Sequence, residues 1–454
     1  MKNSNVELMR GAPEKAILKL AWPIMISMLL TASYNIIDGI WVAGLGQIAI
    51  AGIGFVSPLF MILNGTSVGL GIGATSLISR YIGARNKEKA SNAATHSILI
   101  FLVASILLTV VLLIVQKPVL IAYGANGKTL TEALKYSTVL FTGLFTFMFS
   151  NGCSGILRGE GDMKRAMYAI VVSVIMNAIL DPIFIYGIRL GSAGASLATI
   201  VSAFCASIVI LYWILIKKNT YVTVTFHNFK YNSKMIKDML AVGIPSSLEM
   251  FIMSIAAALY LSFITSIGGA YGVAAYSSGI RLYLFVIMPL TAIGSAVVAV
   301  SGSAFGAKNG DYLSRSHIFG SKFGVILGVV MIIIFLLFSN QLAMLFAYTS
   351  ETANLVPEIA NFLRIATLSL AFTGAGLVSG SLYQGLGKGT YSLFFTLLRE
   401  VIITVPLTYF FGIYMGYGLT GIWMGLAIGR SIASFITFIC ARYVINTVKK
   451  SWTQ

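Results

Sequence analysis

Three polar side chains stand where a strongly apolar chain gives them least company: Asp38, Asn177 and Asp181. Asn177 and Asp181 lie four apart in Ala169-Ile-Val-Val-Ser-Val-Ile-Met-Asn-Ala-Ile-Leu-Asp-Pro-Ile-Phe-Ile-Tyr186. On a helix that spacing stacks the amide and the carboxylate on one side. Asp38 falls near the end of the first apolar segment. A carboxylate in hydrocarbon needs a partner, water or a proton, because an unpaired charge there costs about 3 kcal/mol or more. The chemistry such acids offer is reversible capture of a cation or a proton. The competing reading is a structural acid near a helix end, and Trp41, just beyond Asp38, suits an interfacial belt.

Composition says that these residues sit in a membrane protein. Of 454 residues, 57% are hydrophobic and 10% charged, against about 25% charged in a soluble domain; the mean hydropathy is +0.89. The net charge of +17 is no nucleic-acid footprint, because most Lys and Arg lie in short loops between apolar runs. Cys153, Cys205 and Cys440 are far apart, as are His96, His227 and His317. Neither set has metal-ligand spacing. Gly69-Leu-Gly71-Ile-Gly73 lies inside an apolar run with no strand before it, so it is no dinucleotide loop. Nothing resembles a Walker loop or a catalytic triad. The expectation is a protein that is not an enzyme and needs no cofactor. The polar Met1 to Lys15 precedes an apolar run without a cleavage site, so the first span is read as retained.

Apolar windows long enough to cross a bilayer mark about a dozen helices, from Ala16–Gly39 to Leu419–Val444. Loop lysines and arginines alternate. One set of ends holds Lys2, Arg10 and Lys15, then Arg80 to Lys89, Arg158 to Arg165, Lys217 to Lys237, and on to Lys450. The other holds only Lys117, Lys128, Lys135 and Arg189. Both termini are therefore predicted cytoplasmic.

Landmarks repeat within the chain. Trp22-Pro23 returns as Ile244-Pro245, and Tyr81-Ile-Gly83-Ala-Arg-Asn as Phe305-Gly306-Ala-Lys-Asn. Arg158-Gly-Glu-Gly161 matches Gln384-Gly-Leu-Gly387, and Asp181-Pro182 is matched with Val405-Pro406. The near-constant offset implies two homologous six-span halves: residues 1–216, a cytoplasmic linker at 217–235, and 236–454. The basic linker suits an anionic leaflet of membrane lipids. The repeat puts Tyr260 and Val405 opposite Asp38 and Asp181, so the acidic site is predicted to be one-sided. Glu249 either faces a cavity or partners one of Arg281, Arg364, Arg399 and Arg430. Adjacent helical residues point about 100° apart, so Arg399 and Glu400 are expected not to pair with each other. Pro23, on the helix that carries Asp38, is either a hinge or a static kink.

These pieces resemble the multidrug and toxic compound extrusion (MATE) family. The resemblance rests on Ala21-Trp-Pro, Tyr34-Asn-Ile-Ile-Asp38, Tyr81-Ile-Gly-Ala-Arg, Leu157-Arg-Gly-Glu-Gly-Asp162, Asn177-Ala-Ile-Leu-Asp-Pro182 and Gly191-Ser-Ala-Gly-Ala-Ser-Leu-Ala-Thr199. It implies an all-α integral membrane protein with 12 transmembrane helices in two pseudo-symmetric six-helix lobes around a V-shaped cavity. It also implies a secondary-active exporter of small organic cations, exchanging them for Na⁺ or H⁺. Carried over, the coupling site falls on Asp38, Asn177, Asp181 and Thr199. That oxygen-rich set suits Na⁺, alone or alternating with H⁺.

Helix rise supports contact among the four. Asp38 and Asp181 lie roughly 28 and 26 Å from the cytoplasmic ends of their spans, and Thr199 roughly 12 Å down from the other side. Tyr34, Asn35, Asn151 and Glu249 are the candidate cavity residues. The expected protein is a monomer in the cell membrane with no nucleic-acid partner. A lipid or lipid-linked oligosaccharide flippase of the same superfamily is the alternative, and from another class a membrane enzyme or receptor. A flippase should carry an arginine-rich cavity, an enzyme a catalytic constellation at one face, and a receptor no internal two-fold repetition.

Overall fold

A computed structural model describes residues 4–217, 219–225, 229–345, 347 and 352–453. Lys2, Lys218, Phe226 and His227 fall outside the described residues. Its helices are α1 (Ser4–Arg10), α2 (Pro13–Ala43), α3 (Gln47–Gly83), α4 (Lys87–Ala122), α5 (Gly127–Thr142), α6 (Leu144–Gly159), α7 (Met163–Pro182) and α8 (Ser192–Leu211). They continue with α9 (Ser233–Gly306), α10 (Gly310–Met344), α11 (Val356–Ala366), α12 (Leu370–Gly385), α13 (Gly389–Leu397), α14 (Thr404–Tyr409) and α15 (Gly418–Thr453). Among the described residues, ten helical stretches are long and apolar enough to cross a bilayer. One of them, α9, breaks at the left-handed Gly269 and so counts as two. The pair α5 and α6, bent by 51°, supplies the twelfth.

By internal contacts the chain falls into two units, Met1–Arg10 with Trp22–Leu248, and Gly11–Ala21 with Glu249–Gln454. Of the three breaks, one falls between α1 and α2 and the other two cut a helix near a proline. The earlier of these two parts α2 just before Pro23, and the later parts α9 one turn after Pro245. Within the first unit α3 packs on α6 and α7 on α8; within the second, α12 packs on α10 and α15, and α14 on α15.

The two halves repeat their backbone turns. Left-handed residues recur as Arg85 and Lys308 (φ 58° and 52°), Gly161 and Gly387 (both 79°), and Gly191 and Gly418 (58° and 64°). Such conformations are costly for residues with a Cβ, so their recurrence at matching positions marks a shared design. Gly194 and Gly421 also match: a Cβ on either would strike the carbonyl of Phe184 or Phe411, respectively.

The offset between the halves is not constant. It is 226 at Gly161 and Gly387 but 227 at Gly191 and Gly418, so one residue has been inserted between those landmarks in the second half. Each half has a wide π-helical turn after its fifth span, at Ile183–Gly187 and Phe410–Tyr414. Among the described residues only the second half has another within the fifth span itself, at Leu398–Ile403; the first half's other π turn, Tyr212–Ile216, lies at the end of its sixth span. A π turn absorbs a single inserted residue. Asp181, two residues before the first of these matching turns, therefore corresponds to Thr408, and Asn177 to Thr404. This corrects the match with Val405 read from Asp-Pro and Val-Pro.

The π turn at Leu398–Ile403 also overturns the expectation for Arg399 and Glu400. Arg399 Nε lies 2.9 Å from Glu400 Oε1, and Arg430 Nη2 lies 3.4 Å from Glu400 Oε2. The widened turn and the long arginine stem let neighbouring residues meet. The Tyr260 hydroxyl donates to the Glu400 carbonyl, and the Arg430 guanidinium lies over the Tyr283 ring at 5.3 Å. Arg364 bonds Ser339 and Asn340 instead.

In the first unit, residues 219–225 are neither helix nor strand and are strapped to the helices. Glu160 Oε2 accepts from the backbone N–H groups of Tyr221 (2.8 Å) and Val222 (3.1 Å). Arg165 Nη1 donates to the Asn219 carbonyl at 3.3 Å, and Ser91 Oγ accepts from Thr223 N–H at 3.0 Å. Further on, buried His96 accepts from Asn232 N–H at Nε2 and reaches the Asn92 carbonyl with Nδ1. That pattern makes it a neutral imidazole protonated at Nδ1.

Two predictions follow from these buried acids. Glu400→Gln leaves two guanidiniums without their carboxylate, at an expected cost of about 3–5 kcal/mol. Thermal unfolding in detergent should show a lowered midpoint; an unchanged one would mean the arginines are satisfied elsewhere. Burial, reinforced by Asp162 and opposed by the Val222 and Tyr221 N–H groups and Arg165, pushes the Glu160 carboxyl up from 4.5 to about 8. Between those values the folded chain holds a proton that the unfolded chain has lost, so this contribution to stability is full below pH 4.5 and falls away as pH rises towards 8. Glu160→Gln should flatten the decline of the unfolding midpoint over that range, and an identical decline would reject the assignment.

Candidate functional site

Asp162 caps the start of α7, its side chain accepting from Arg165 N–H. Ile175, Ile179 and Ile183 are exposed on one side of the span. Asn177 and Asp181, two residues out of step with them, face the other way and are 1% and 0% exposed. Both carboxylate oxygens of Asp181 and both polar atoms of the Asn177 amide are buried without a hydrogen-bond partner in the protein. Buried polar groups are rarely left so, because each unsatisfied atom costs roughly 1–3 kcal/mol.

Three further helices of the same unit meet this face. From α2 comes half-buried Asp38; Asp38 and Asp181 lie within each other's electrostatic field. Tyr34, one turn before Asp38, places its hydroxyl 3.5 Å from Thr199 Oγ1 of α8. Thr199 is buried and donates to the Ala195 carbonyl at 3.2 Å. From α5 comes Tyr136, which like Tyr34 feels both aspartates. The structure thus gathers Tyr34, Asp38, Asn177, Asp181 and Thr199.

Tyr136 was not among the predicted residues. It stands in Glu132-Ala-Leu-Lys-Tyr-Ser137 with no motif around it, and only the packing of α5 reveals it.

The remaining predicted residues lie elsewhere. Asn35 is exposed on α2, and half-buried Asn151 on α6 donates to its own helix at the Phe147 carbonyl, 3.1 Å away. Glu249 belongs to the second unit, where it accepts from Gln384 Nε2 at 3.4 Å in a polar setting that includes Ser392, Thr396 and the charge of Arg399. Pro23 lies inside the continuous helix α2, its carbonyl accepting from Ser27 Oγ at 2.8 Å. Among the described residues no three His, Cys, Asp or Glu side chains converge as a metal-ion group.

Among the described residues the second unit has no matching site. Thr404 and Thr408, at the places of Asn177 and Asp181, are fully buried and donate to the carbonyls of Arg399 and Val405 in their own helix. Its buried acid Glu400 is already held by two arginines.

Known proteins share this architecture. The MatE family model matches residues 23–183 and again 245–410. The two matches begin 222 residues apart and end 227 apart, the latter being the offset of Gly191 and Gly418. The chain is 27% identical over 443 residues to the multidrug export protein MepA of Staphylococcus aureus (strain N315), covering 97% of this chain and 96% of the relative. It is 25% identical over 427 residues to the probable multidrug resistance protein YoeA of Bacillus subtilis (strain 168), covering 92% and 90%. A MATE crystal structure in complex with MaL6 superposes with a TM-score of 0.95 at 37% identity, over 98% of this chain and 99% of that one. With a duplicated helical architecture, a family match in each half and this structural likeness, the chain belongs to the MatE family and is a multispan membrane transporter, not an enzyme.

Proposed function

We propose that the chain is a secondary-active antiporter that exports small organic cations in exchange for Na⁺ or H⁺, with Asp38, Asn177, Asp181 and Thr199 as the coupling site. The observation that carries this reading is the set of unpartnered polar atoms on Asn177 and Asp181, facing a second carboxylate inside an apolar unit. Two adjacent carboxylates repel when both are ionised, and a proton or a small cation between them relieves the repulsion. Carboxylate, amide and hydroxyl oxygens make a donor set for a hard cation. Tyr34 and Tyr136 supply phenolic hydroxyls at its edge.

Coupling requires that the ion bind one conformation more tightly than the other, since equal affinity shifts nothing. Asp38 and Pro23 share α2, so bending at Pro23 would move one carboxylate relative to the other and change that affinity. Asn35, Asn151 and Glu249 are assigned to substrate contact. The protein acts as a monomer in the cell membrane, both termini cytoplasmic, with membrane lipids around it.

Dye efflux from vesicles under separately imposed Na⁺ and H⁺ gradients tests the reading. Asp38→Asn and Asp181→Asn should each bring gradient-driven efflux down to that of empty vesicles. Thr199→Ala, losing one neutral ligand worth about 1 kcal/mol, should weaken apparent ion affinity about five-fold. Efflux that survives both aspartate changes, or that requires ATP and ignores both gradients, would reject antiport at this site.

A further inference from the structure

The polar site has an apolar lid one helical turn beyond it. Val42, Ile185 and Ala195 form a small buried cluster, with Trp41, Leu45, Ile53 and Tyr136 packed against it. Each of the three core members stands four residues from a site residue: Val42 after Asp38, Ile185 after Asp181, and Ala195 before Thr199 on the antiparallel helix. Four residues are one turn, about 6 Å of rise, so the three apolar side chains make a layer stacked on the polar one. The layer lies towards the C-terminal ends of α2 and α7, the end away from the linker strap.

A latch crosses this layer. The Tyr186 hydroxyl donates to the Trp41 carbonyl at 2.5 Å, and the two rings meet edge-on at 6.3 Å between centroids. Gly44 makes room for it, since a Cβ there would overlap the Tyr186 hydroxyl. At the same end the Ser192 hydroxyl donates to Glu132 Oε2 at 2.5 Å, tying α8 to α5. Trp41 and Tyr186 themselves are held only by this contact and their packing, on helix ends that are otherwise exposed.

We infer that the Val42–Ile185–Ala195 layer, latched by Tyr186 on Trp41, is the barrier between Asp181 and the solution at that end of the unit, and that a hydrated ion reaches the aspartates from there only when the latch releases. Apolar constrictions stop ions because the ion must shed water with nothing to replace it. Tyr186 is accordingly a positioning residue: it touches no ion and sets when one can enter. The inference rests on the proposed coupling site only for what enters; the barrier itself is tested without transport.

The full-length protein, reconstituted in vesicles, is treated with a membrane-impermeant carbodiimide, and modification of Asp181 is followed by peptide mass spectrometry. Tyr186→Phe keeps the ring and removes one hydrogen bond of about 1 kcal/mol, so modification from the side facing these helix ends should quicken about five-fold. Ile185→Ser, which opens the layer and leaves the latch, should also quicken it from that side alone. Size-exclusion profiles and unfolding midpoints establish that both variants are folded. Rates equal to wild type in both variants, or quickened equally from either side, would overturn the barrier. Efflux that persists in Asp181→Asn would instead overturn the coupling site and leave the labelling result standing.

Discussion

The structure depends on how each half deals with a buried negative charge. An apolar helix bundle cannot leave a carboxylate bare, and the two halves of this chain answer differently. In the second, Glu400 lies between the guanidiniums of Arg399 and Arg430. In the first, Asp181 is as deeply buried, its charged neighbour is another acid, Asp38, and among the described residues no arginine or lysine is paired with it. One charge is neutralised by the fold itself, and the other has no cationic side chain beside it among the described residues. That contrast separates a strut from a site.

Geometry around the first acid follows from helix periodicity. Residues four apart share a face, so Tyr34 with Asp38, Asn177 with Asp181, and Ala195 with Thr199 form three short columns on three helices. Where the columns hold polar groups they form the proposed coupling layer; one turn on, Val42 and Ile185 belong to a buried apolar cluster, the proposed seal. The exposed isoleucines of α7 turn the opposite way and give lipid its share. The same period thus sets the site, its lid and its lipid face.

Much of this was legible from residue types alone. Apolar run lengths set the span count, and the four-residue spacing of Asn177 and Asp181 puts them on one face of a helix. The break in α9 falls at Gly269, between two runs read as separate spans. Residues outside a motif were harder. Tyr136 has no distinguishing neighbours. Arg399 and Glu400 defeated an α-helical rule because their turn is not α-helical, and a dipeptide match hid the inserted residue that made it so. Local wheels assume a uniform period, and a single π turn is enough to break the assumption.

That extra residue has a consequence for anyone redesigning the molecule. The halves of a duplicated gene are often treated as interchangeable templates, yet here a graft guided by the Pro182 and Pro406 alignment would land three positions early, nearly one turn short. An acid meant to mirror Asp181 belongs at Thr408, where Gly425 of α15 approaches the backbone so closely that even a Cβ on that glycine would strike Thr408. The second half has therefore moved away from ion chemistry in both register and charge, and restoring it would take a deletion as well as a substitution.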